Sequence, residues 1–472
     1  MTTPVILWLR QDLRLADQPA LVAAAGEGRV VPVYILDDET PGDRRMGAAS
    51  RWWLHHSLAA LSEAFAEHGV RLILRGGRAS AELAKLAAEL GTNRVHALRH
   101  YEPWWKTAES EVALTLDLQL HDGNFLGPPD RVRTATGGRY RIFTPWWTAL
   151  KQQMPPAKPL AIPDLHPDAP PRHPDESRDP WDPQVSRSRD HRIVDPGVRR
   201  DDEIWSDSLA DWNLLPTNPD WATGFSNWTP GEAGARAALR DFLPAIPRYD
   251  HDRNYPAIPG TSRLSPHLHF GEISPATVWW QCAAHARAAA EPYLRQIGWR
   301  DFANNVIDMF PDYGDHNGRA AFDAFPWHDD EPGFVAWTQG RTGYPLVDAG
   351  MRELWSTGWM HNRVRMIAAS FLVKHLLVDW RRGERWFWDT LVDADYAANA
   401  QNWQWTAGSG IDSAPFYRIM APLAQADKFE AAAYIRRWVP EVDTSAYPEP
   451  LIGHRAARER ALDAFRTINA SS

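Results

Sequence analysis

A single cysteine, Cys282, in 472 residues excludes an intrachain disulfide and any thiolate metal cluster, and points to a reducing compartment, the cytoplasm. No apolar run approaches the ~18 residues that a spanning helix needs, so a membrane role is not expected. The opening MTTPVILWLRQDLRL lacks a basic stretch followed by an apolar run and a cleavage site, so no secretion leader is read. Excess positive charge is missing too. At a net charge of −9 the global field does not draw a polyanion inward, and a nucleic-acid partner requires a local basic face. No GxGxxG follows any apolar run, and Gly76-Gly77 lacks the rest of that fingerprint, which argues against a dinucleotide there. What abounds is tryptophan. The 25 indoles far exceed ordinary usage and imply a need for large polarisable rings beyond core packing.

The length exceeds what one core normally supports, so two domains are expected, and 44% apolar with 24% charged residues is a globular composition. Short, nearly continuous apolar and β-branched runs recur in the first third: VILWL (5–9), VVPVYIL (30–36), VRLILR (70–75) and RVHAL (94–98). Such runs read as parallel strands buried on both faces. Between them the spacing predicts helices. Ser50 would cap one carrying Leu54, Leu58, Leu61 and Phe65, stopped by Gly69, and 80–90 is another, stopped by Gly91. The alternation implies an α/β domain over 1–135, a doubly wound parallel sheet of Rossmann-like type that binds ligands at the carboxyl ends of its strands. After the second strand come Asp37, Asp38 and Glu39. Glu39 reads either as a contact to a small aromatic ligand or as a solvated loop acid.

Residues 136–205 are expected to form a long interdomain linker. Prolines recur among Asp and Arg through 153–198, an extended surface composition, and the mixed-sign run 187–203 reads as solvated. Beyond it strand signals fade, and 206–472 is expected to be all-α. A helix is predicted over 233–243, ended by Pro244. From His361 onward, Val364, Ile367, Ala368, Phe371 and Leu372 form an apolar stripe, with Asn362, Arg365 and Met366 on the adjoining face.

Chemistry concentrates in WFWDTLVDADYAANAQNWQW (386–405). Asp393 and Asp395 lie two apart and Asn399 four further on, so a bend or short helix turns all three toward one donor-rich ligand. The same residue types favour helix caps, and both readings stand. GTSRLSPHLHFGEISP (260–275) offers backbone N–H groups, hydroxyls and a guanidinium, suited to a diphosphate or, equally, to a capping loop.

Over nearly its whole length the sequence resembles the photolyase/cryptochrome flavoproteins. The resemblance runs through LWLRQDLRLADQPAL (7–21), GTSRLSP (260–266), IGWRDF (297–302), GRTGYPLVDAGMRELWSTGWMHNRVRM (340–366) and DADYAANAQNWQW (393–405). The 340–366 block is long and specific, and its wording looks closest to the bacterial branch near the plant cryptochromes, often called class III.

The resemblance implies a C-terminal helical FAD-binding domain. It also implies blue-light repair of cyclobutane pyrimidine dimers in ultraviolet-damaged DNA, a carbon–carbon lyase reaction driven by an electron from FADH⁻. FAD contacts would fall to Tyr249, Thr261, Ser262, Arg263, Leu264 and Ser265, with Arg300, Asn362, Arg365, Asp393 and Asp395 around the sugar and ring. Arg365 and Asp393 are expected to pair. Asn399 would face flavin N5, where a carboxamide with no proton to give suits the anionic reduced flavin and favours repair over light sensing. Trp403, Trp380 and Trp327 match the family's electron-hopping chain from the flavin outward, although any single ring among 25 also reads as core.

Lesion contact would come from Trp299 and Trp405, flat faces for a flipped-out pyrimidine pair, with Asn362 and Met366 lining the pocket and Arg253 and Arg363 meeting phosphate. Gln296 stands where dimer enzymes usually carry Glu. Enzymes of the (6-4) photoproduct often have Gln there but need histidines at the positions of Asn362 and Met366, so the pocket stays dimer-like. Repair of the (6-4) lesion is one alternative. A cryptochrome-like photoreceptor is the other, disfavoured because no long tail follows the shared region. An antenna chromophore is implied between the domains: methenyltetrahydrofolate with Glu39 as a contact, or 8-hydroxy-deazaflavin, since Tyr101-Glu102-Pro103-Trp104-Trp105 does not reproduce the best-known folate pattern. A monomer is expected.

Overall fold

The computed structural model describes residues 3–165 and 204–470. Five parallel strands form one sheet: β1 (Pro4–Leu9), β2 (Arg29–Leu36), β3 (Ile73–Gly76), β4 (Arg94–Leu98) and β5 (Asp117–His121), in the order β3-β2-β1-β4-β5. Between them run α1 (Pro19–Glu27), α2 (Ala48–Glu67), α3 (Ala79–Leu90) and α4 (Pro103–Val112). Val5 lies opposite Val30 and Ile6 opposite Val95, so β1 is the covered central strand that its apolar run predicts. The chain reverses its direction of growth between β1 and β4, which opens a crevice beyond their carboxyl ends.

Several local expectations are corrected. Ser50 is not a cap: α2 starts directly after Gly47, so Ser50 lies inside its first turn, and the buried Ser50 hydroxyl donates to the Leu391 carbonyl at 3.1 Å. The helical domain supplies what a cap would have supplied, since Asp389 accepts from the Ala48 N–H at 2.9 Å. Gly47 is needed for that approach, because a Cβ there would lie 2.2 Å from the Trp388 carbonyl oxygen. The third strand begins at Ile73 rather than at 70, and the half-exposed edge strand β5 was not expected. The stretch 136–205 is not all linker. It holds α5 (Phe143–Lys151), which buries Phe143, Trp146, Trp147 and Leu150 against the helical domain. The proline-rich stretch from 166 and the mixed-sign run 187–203 lie outside the described residues.

From Glu232 onward the described chain is helical. α6 (Glu232–Phe242), α7 (Tyr249–Asp252), α8 (Ser265–His269), α9 (Pro275–Ala286), α10 (Glu291–Met309), α11 (Glu331–Thr338) and α12 (Pro345–Thr357) come first. α13 (Asn362–Phe371), α14 (Trp380–Thr390), α15 (Tyr396–Ala407), α16 (Pro422–Lys428), α17 (Ala432–Trp438) and α18 (His454–Ala470) follow. Pro244 does not stop the chain: α6 runs on into a 3₁₀ segment, Leu243–Arg248, because a ring at the start of a tighter turn removes only an N–H that needs no partner. The apolar stripe after His361 is α13, with His361 as its cap. α10, α13 and α14 all pack on α15, which places the 393–405 residues at the centre of the domain. No helix of the described residues is long and apolar enough to cross a membrane.

Candidate active site

The turn between α14 and α15 gathers the acids. Asp395 is the N-cap of α15, accepting from the Ala398 N–H at 2.7 Å, so the capping reading holds for it. Asp393 does something else. Arg365 on α13 donates to its two oxygens at 3.0 and 2.9 Å, and the Ser265 hydroxyl at the start of α8 adds a third bond at 2.6 Å. The Asp393 side chain is only 3% exposed, and the paired forks leave its carboxylate little freedom. Burial by itself would raise Asp395, but His269, Arg300 and the Ala398 N–H outweigh it and hold the carboxyl below its ordinary value. Its neighbour Glu102 moves the other way, pushed up to about 7 by burial and by the Asp395 charge.

The 260–265 loop runs up to this turn. Ser262 accepts from the Tyr293 hydroxyl at 3.0 Å, Leu264 is buried, and Thr261 is half-buried beside it. Tyr249, at the start of α7, packs edge-on to Tyr293. Arg263 takes a left-handed backbone conformation, φ 52°, and its exposed guanidinium lies 4.7 Å over the Trp359 ring without a carboxylate partner among the described residues. His361 is pushed down to about 4, by burial and then by the charges of Arg363, Arg365, Arg253 and Arg263. Of these four guanidiniums gathered around His361, Arg365 is neutralised by Asp393. Arg300 instead donates to the Asn124 and Leu268 carbonyls at 2.7 and 3.2 Å, with its Nε buried and unpartnered. Asn362 is exposed at the first turn of α13.

Asn399, one turn into α15, donates its amide to the backbone carbonyl and the carboxylate of Glu384 at 3.0 and 2.9 Å. Trp403 follows one turn later. Its ring meets Phe387 at 5.0 Å and presses on Gly383, where a Cβ would come within 2.1 Å of it. Gly383 is one turn beyond Trp380 on α14, so those indoles occupy the same seam. Trp380 is fully buried and donates to Asn317 at 2.9 Å. Trp327 is half-buried against Phe325, 4.3 Å away, and the next residue, His328, bonds to the Leu377 carbonyl three residues before Trp380. The trio thus runs from the centre of the domain toward its surface.

Trp299 on α10 is half-buried, with one face covered: Phe143 of α5 stacks on it with centroids 3.6 Å apart and planes 11° from parallel. Trp405, on the neighbouring α15, is also half-buried. Among the described residues Gln296 donates only to the Pro292 carbonyl one turn back, at 3.3 Å. Arg363 lies 3.6 Å from the Met366 sulfur and 4.8 Å over Phe429, and the Arg253 guanidinium sits 5.3 Å over Tyr249.

Beyond β1, β2 and β4 a crevice opens between the domains, lined by Asp37, Asp38, Arg44, Trp104, Trp105 and Trp388 among others. Glu39 is exposed and is not part of that lining, unlike the two acids before it. Asp37 is itself engaged, capping α3 through the Ala79 N–H at 2.9 Å. Sequence reasoning missed Arg44, Glu384 and Phe143, which touch the site residues from elsewhere in the chain. Of these only Phe143 carries a signal in the sequence, the helical spacing it shares with Trp146, Trp147 and Leu150.

The donor set fits FAD. Hydroxyls and an arginine without a carboxylate partner among the described residues stand in the 260–265 loop, acceptors at Asp393 and Asp395, and a buried Arg300 Nε that makes no hydrogen bond among the described residues. Residues 5–165 match the family model described as DNA photolyase, and residues 293–445 match the FAD binding domain of DNA photolyase. A deoxyribodipyrimidine photo-lyase of Agrobacterium fabrum is 43% identical over 507 residues, covering 99% of this chain and 98% of its own. The crystal structure of a bacterial class III photolyase from Agrobacterium tumefaciens superposes with a TM-score of 0.87 at 42% identity, over 100% of this chain and 98% of that one. An archaeal photolyase from Sulfolobus tokodaii, solved with two FAD molecules, gives 0.78 at 26% identity over 98% of this chain and 100% of that one. The α/β half, the helical half and the residues between them all agree, and the chain belongs to the DNA photolyase family.

Proposed function

We propose that this protein is a deoxyribodipyrimidine photo-lyase, which uses blue light to split cyclobutane pyrimidine dimers in ultraviolet-damaged DNA. One observation carries the reading. Ser265, Arg365 and Asp393, far apart in the sequence, meet at one carboxylate just before α15, and the group expected to face the reactive edge of the flavin, Asn399 one turn into α15, is a carboxamide, not an acid. Bound FAD, reduced and excited by light, supplies the electron that opens the dimer and takes it back.

The chain's own part is binding, orientation and electrostatics. Arg263 and the hydroxyls of Thr261 and Ser262 receive the diphosphate. Asp393, held by Arg365 and Ser265, and Asp395, kept ionised by its surroundings, accept from the ribityl and ring N–H groups. Trp403, Trp380 and Trp327 pass electrons inward when the flavin must be reduced. Trp299, backed by Phe143, offers its remaining face to the flipped-out dimer opposite Trp405, while Arg253 and Arg363 take phosphate. Gln296 donates through its amide where a carboxyl would bring charge.

The interdomain crevice, with three tryptophans among its walls, suits a planar light-harvesting chromophore, either the folate or the deazaflavin. The setting is the reducing cytoplasm, where Cys282 stays a buried thiol. The test is light-dependent repair of oligonucleotides carrying one defined lesion.

A further inference from the structure

We propose that the α/β domain sets the redox poise of the flavin site through a relay in which Arg44 fixes Glu384 and Glu384 fixes the Asn399 carboxamide with its oxygen toward the ring. The proposal rests on the reading that Asn399 faces flavin N5. Neither Arg44 nor Glu384 touches the flavin on that reading, so both are positioning residues.

A carboxamide is nearly symmetric in shape, and its two ends differ only in what they bond. Nothing in Asn399 itself selects which end faces inward. Glu384 does, because it offers two acceptors and no donor, the α14 carbonyl at 3.0 Å and Oε1 at 2.9 Å. Turned around, Asn399 would set an oxygen against two oxygens with no proton between them. The NH₂ is therefore committed to Glu384 and the oxygen is left for the ring. An oxygen there accepts from the N5–H that only the reduced ring carries. An NH₂ there would donate to the bare N5 of the oxidised ring. The orientation thus decides which redox state is favoured.

Glu384 is fully buried and cannot hold this position alone. Arg44, in the loop between β2 and α2, donates from Nη1 to both carboxylate oxygens at 2.8 and 2.7 Å. Its Nη2 is anchored to the Gly314 carbonyl and to Asp315, each at 2.8 Å, and the guanidinium lies 5.1 Å over Tyr396. The other charges facing the pair are Arg385, 3.9 Å from Glu384, and Asp315, which Arg385 also binds at 2.9 Å. Burial raises the Glu384 carboxyl, and Arg44 opposes that shift. Arg44 also lines the interdomain crevice, so the same residue serves that wall and, two bonds away, the flavin site.

The test uses the full chain loaded with FAD, comparing the parent with Glu384→Gln, Arg44→Lys and the double variant Arg44→Met/Glu384→Gln. The readouts are the FAD midpoint potential, the air reoxidation rate of the reduced protein, and the Asn399 carbonyl band in reduced-minus-oxidised infrared spectra with carbonyl-labelled asparagine. In Glu384→Gln that band should shift or split, the potential should fall, and reoxidation should quicken about tenfold, the scale on which losing an outer support weakens the group it orients. Arg44→Lys, which keeps the charge, should recover most of the parent behaviour. Parent-like spectrum, potential and reoxidation rate in Glu384→Gln overturn the relay. If that variant does not fold because Arg44 is left without its partner, the double variant, which removes both charges, is held to the same criteria. A parent that repairs no dimer while the variants still shift the potential overturns the proposed function and leaves the relay standing. A parent that repairs while no variant shifts overturns the relay alone.

Discussion

Arg365 holds Asp393 by both oxygens, at 3.0 and 2.9 Å, with Ser265 bonded to the same carboxylate. Three separated segments meet in that cluster: the start of α8, α13 and the turn before α15. Asp393→Asn would leave Arg365 without its counter-charge in a largely buried setting, at a cost of about 3–5 kcal/mol. We expect a lower melting temperature and protein purified nearly free of flavin, whereas Ser265→Ala should cost only about 1 kcal/mol and keep its flavin. Full FAD occupancy in Asp393→Asn, read from the ratio of flavin to protein absorbance, would contradict the assignment.

Trp403→Phe removes the innermost oxidisable ring while keeping most of the packing against Phe387 and Gly383. Photoreduction of the oxidised protein by an external thiol should then almost stop. Repair by protein reduced chemically beforehand should continue, since those electrons do not pass through the indoles. Unchanged photoreduction would show that Trp403 is core material alone.

Phe143 covers one face of Trp299, and the pair joins α5 to α10. Phe143→Ala opens a cavity in a packed seam and should destabilise the fold by about 3–5 kcal/mol. Phe143→Leu keeps most of the volume and loses the stack, so it should retain stability and flavin while weakening binding of dimer-containing DNA. Equal affinity for damaged DNA in the parent and Phe143→Leu would remove Phe143 from the lesion pocket.

Glu102 gives a pH signature. Its carboxyl rises from an ordinary 4.5 to about 7 in the fold, because of burial and the nearby Asp395 charge. The folded state therefore holds the proton more tightly than the unfolded chain. The stability this contributes is fully present below pH 4.5 and is lost as pH rises through about 7, a swing on the order of 3 kcal/mol. Glu102→Gln should flatten that part of the stability profile in denaturant titrations between pH 4.5 and 7. A profile that falls as steeply in the variant would assign the effect to another group.

The parallel sheet was legible because its strands are buried on both faces, and four of the five announce themselves as apolar runs. β5 is a half-exposed edge and carries no such signal. Asp393 and Arg365 could be paired in advance because opposite charges in matching motifs have few other uses. Asn399 could be named, but its orientation could not, since that depends on Glu384 across the helix pair and on Arg44 from the other domain. Ser50 shows the same limit: as a cap it satisfied every local rule, and the domain contact at Leu391 took its place. Within the expected linker, the helical spacing of Phe143, Trp146, Trp147 and Leu150 marks α5, while the prolines that give the stretch its extended composition lie further along. Contacts made across the domain boundary are what the sequence hides.

The most direct test of the central claim is repair itself. Purified, photoreduced protein is illuminated with blue light alongside two oligonucleotides, one carrying a single cyclobutane pyrimidine dimer and the other a single (6-4) photoproduct. The account predicts that the dimer is restored to two pyrimidines, that the (6-4) lesion is untouched, and that neither changes in the dark. Intact dimers after illumination of protein whose flavin is bound and reduced would contradict it; turnover of the (6-4) lesion instead would reassign Gln296, and repair of neither would return the chain to the photoreceptor reading.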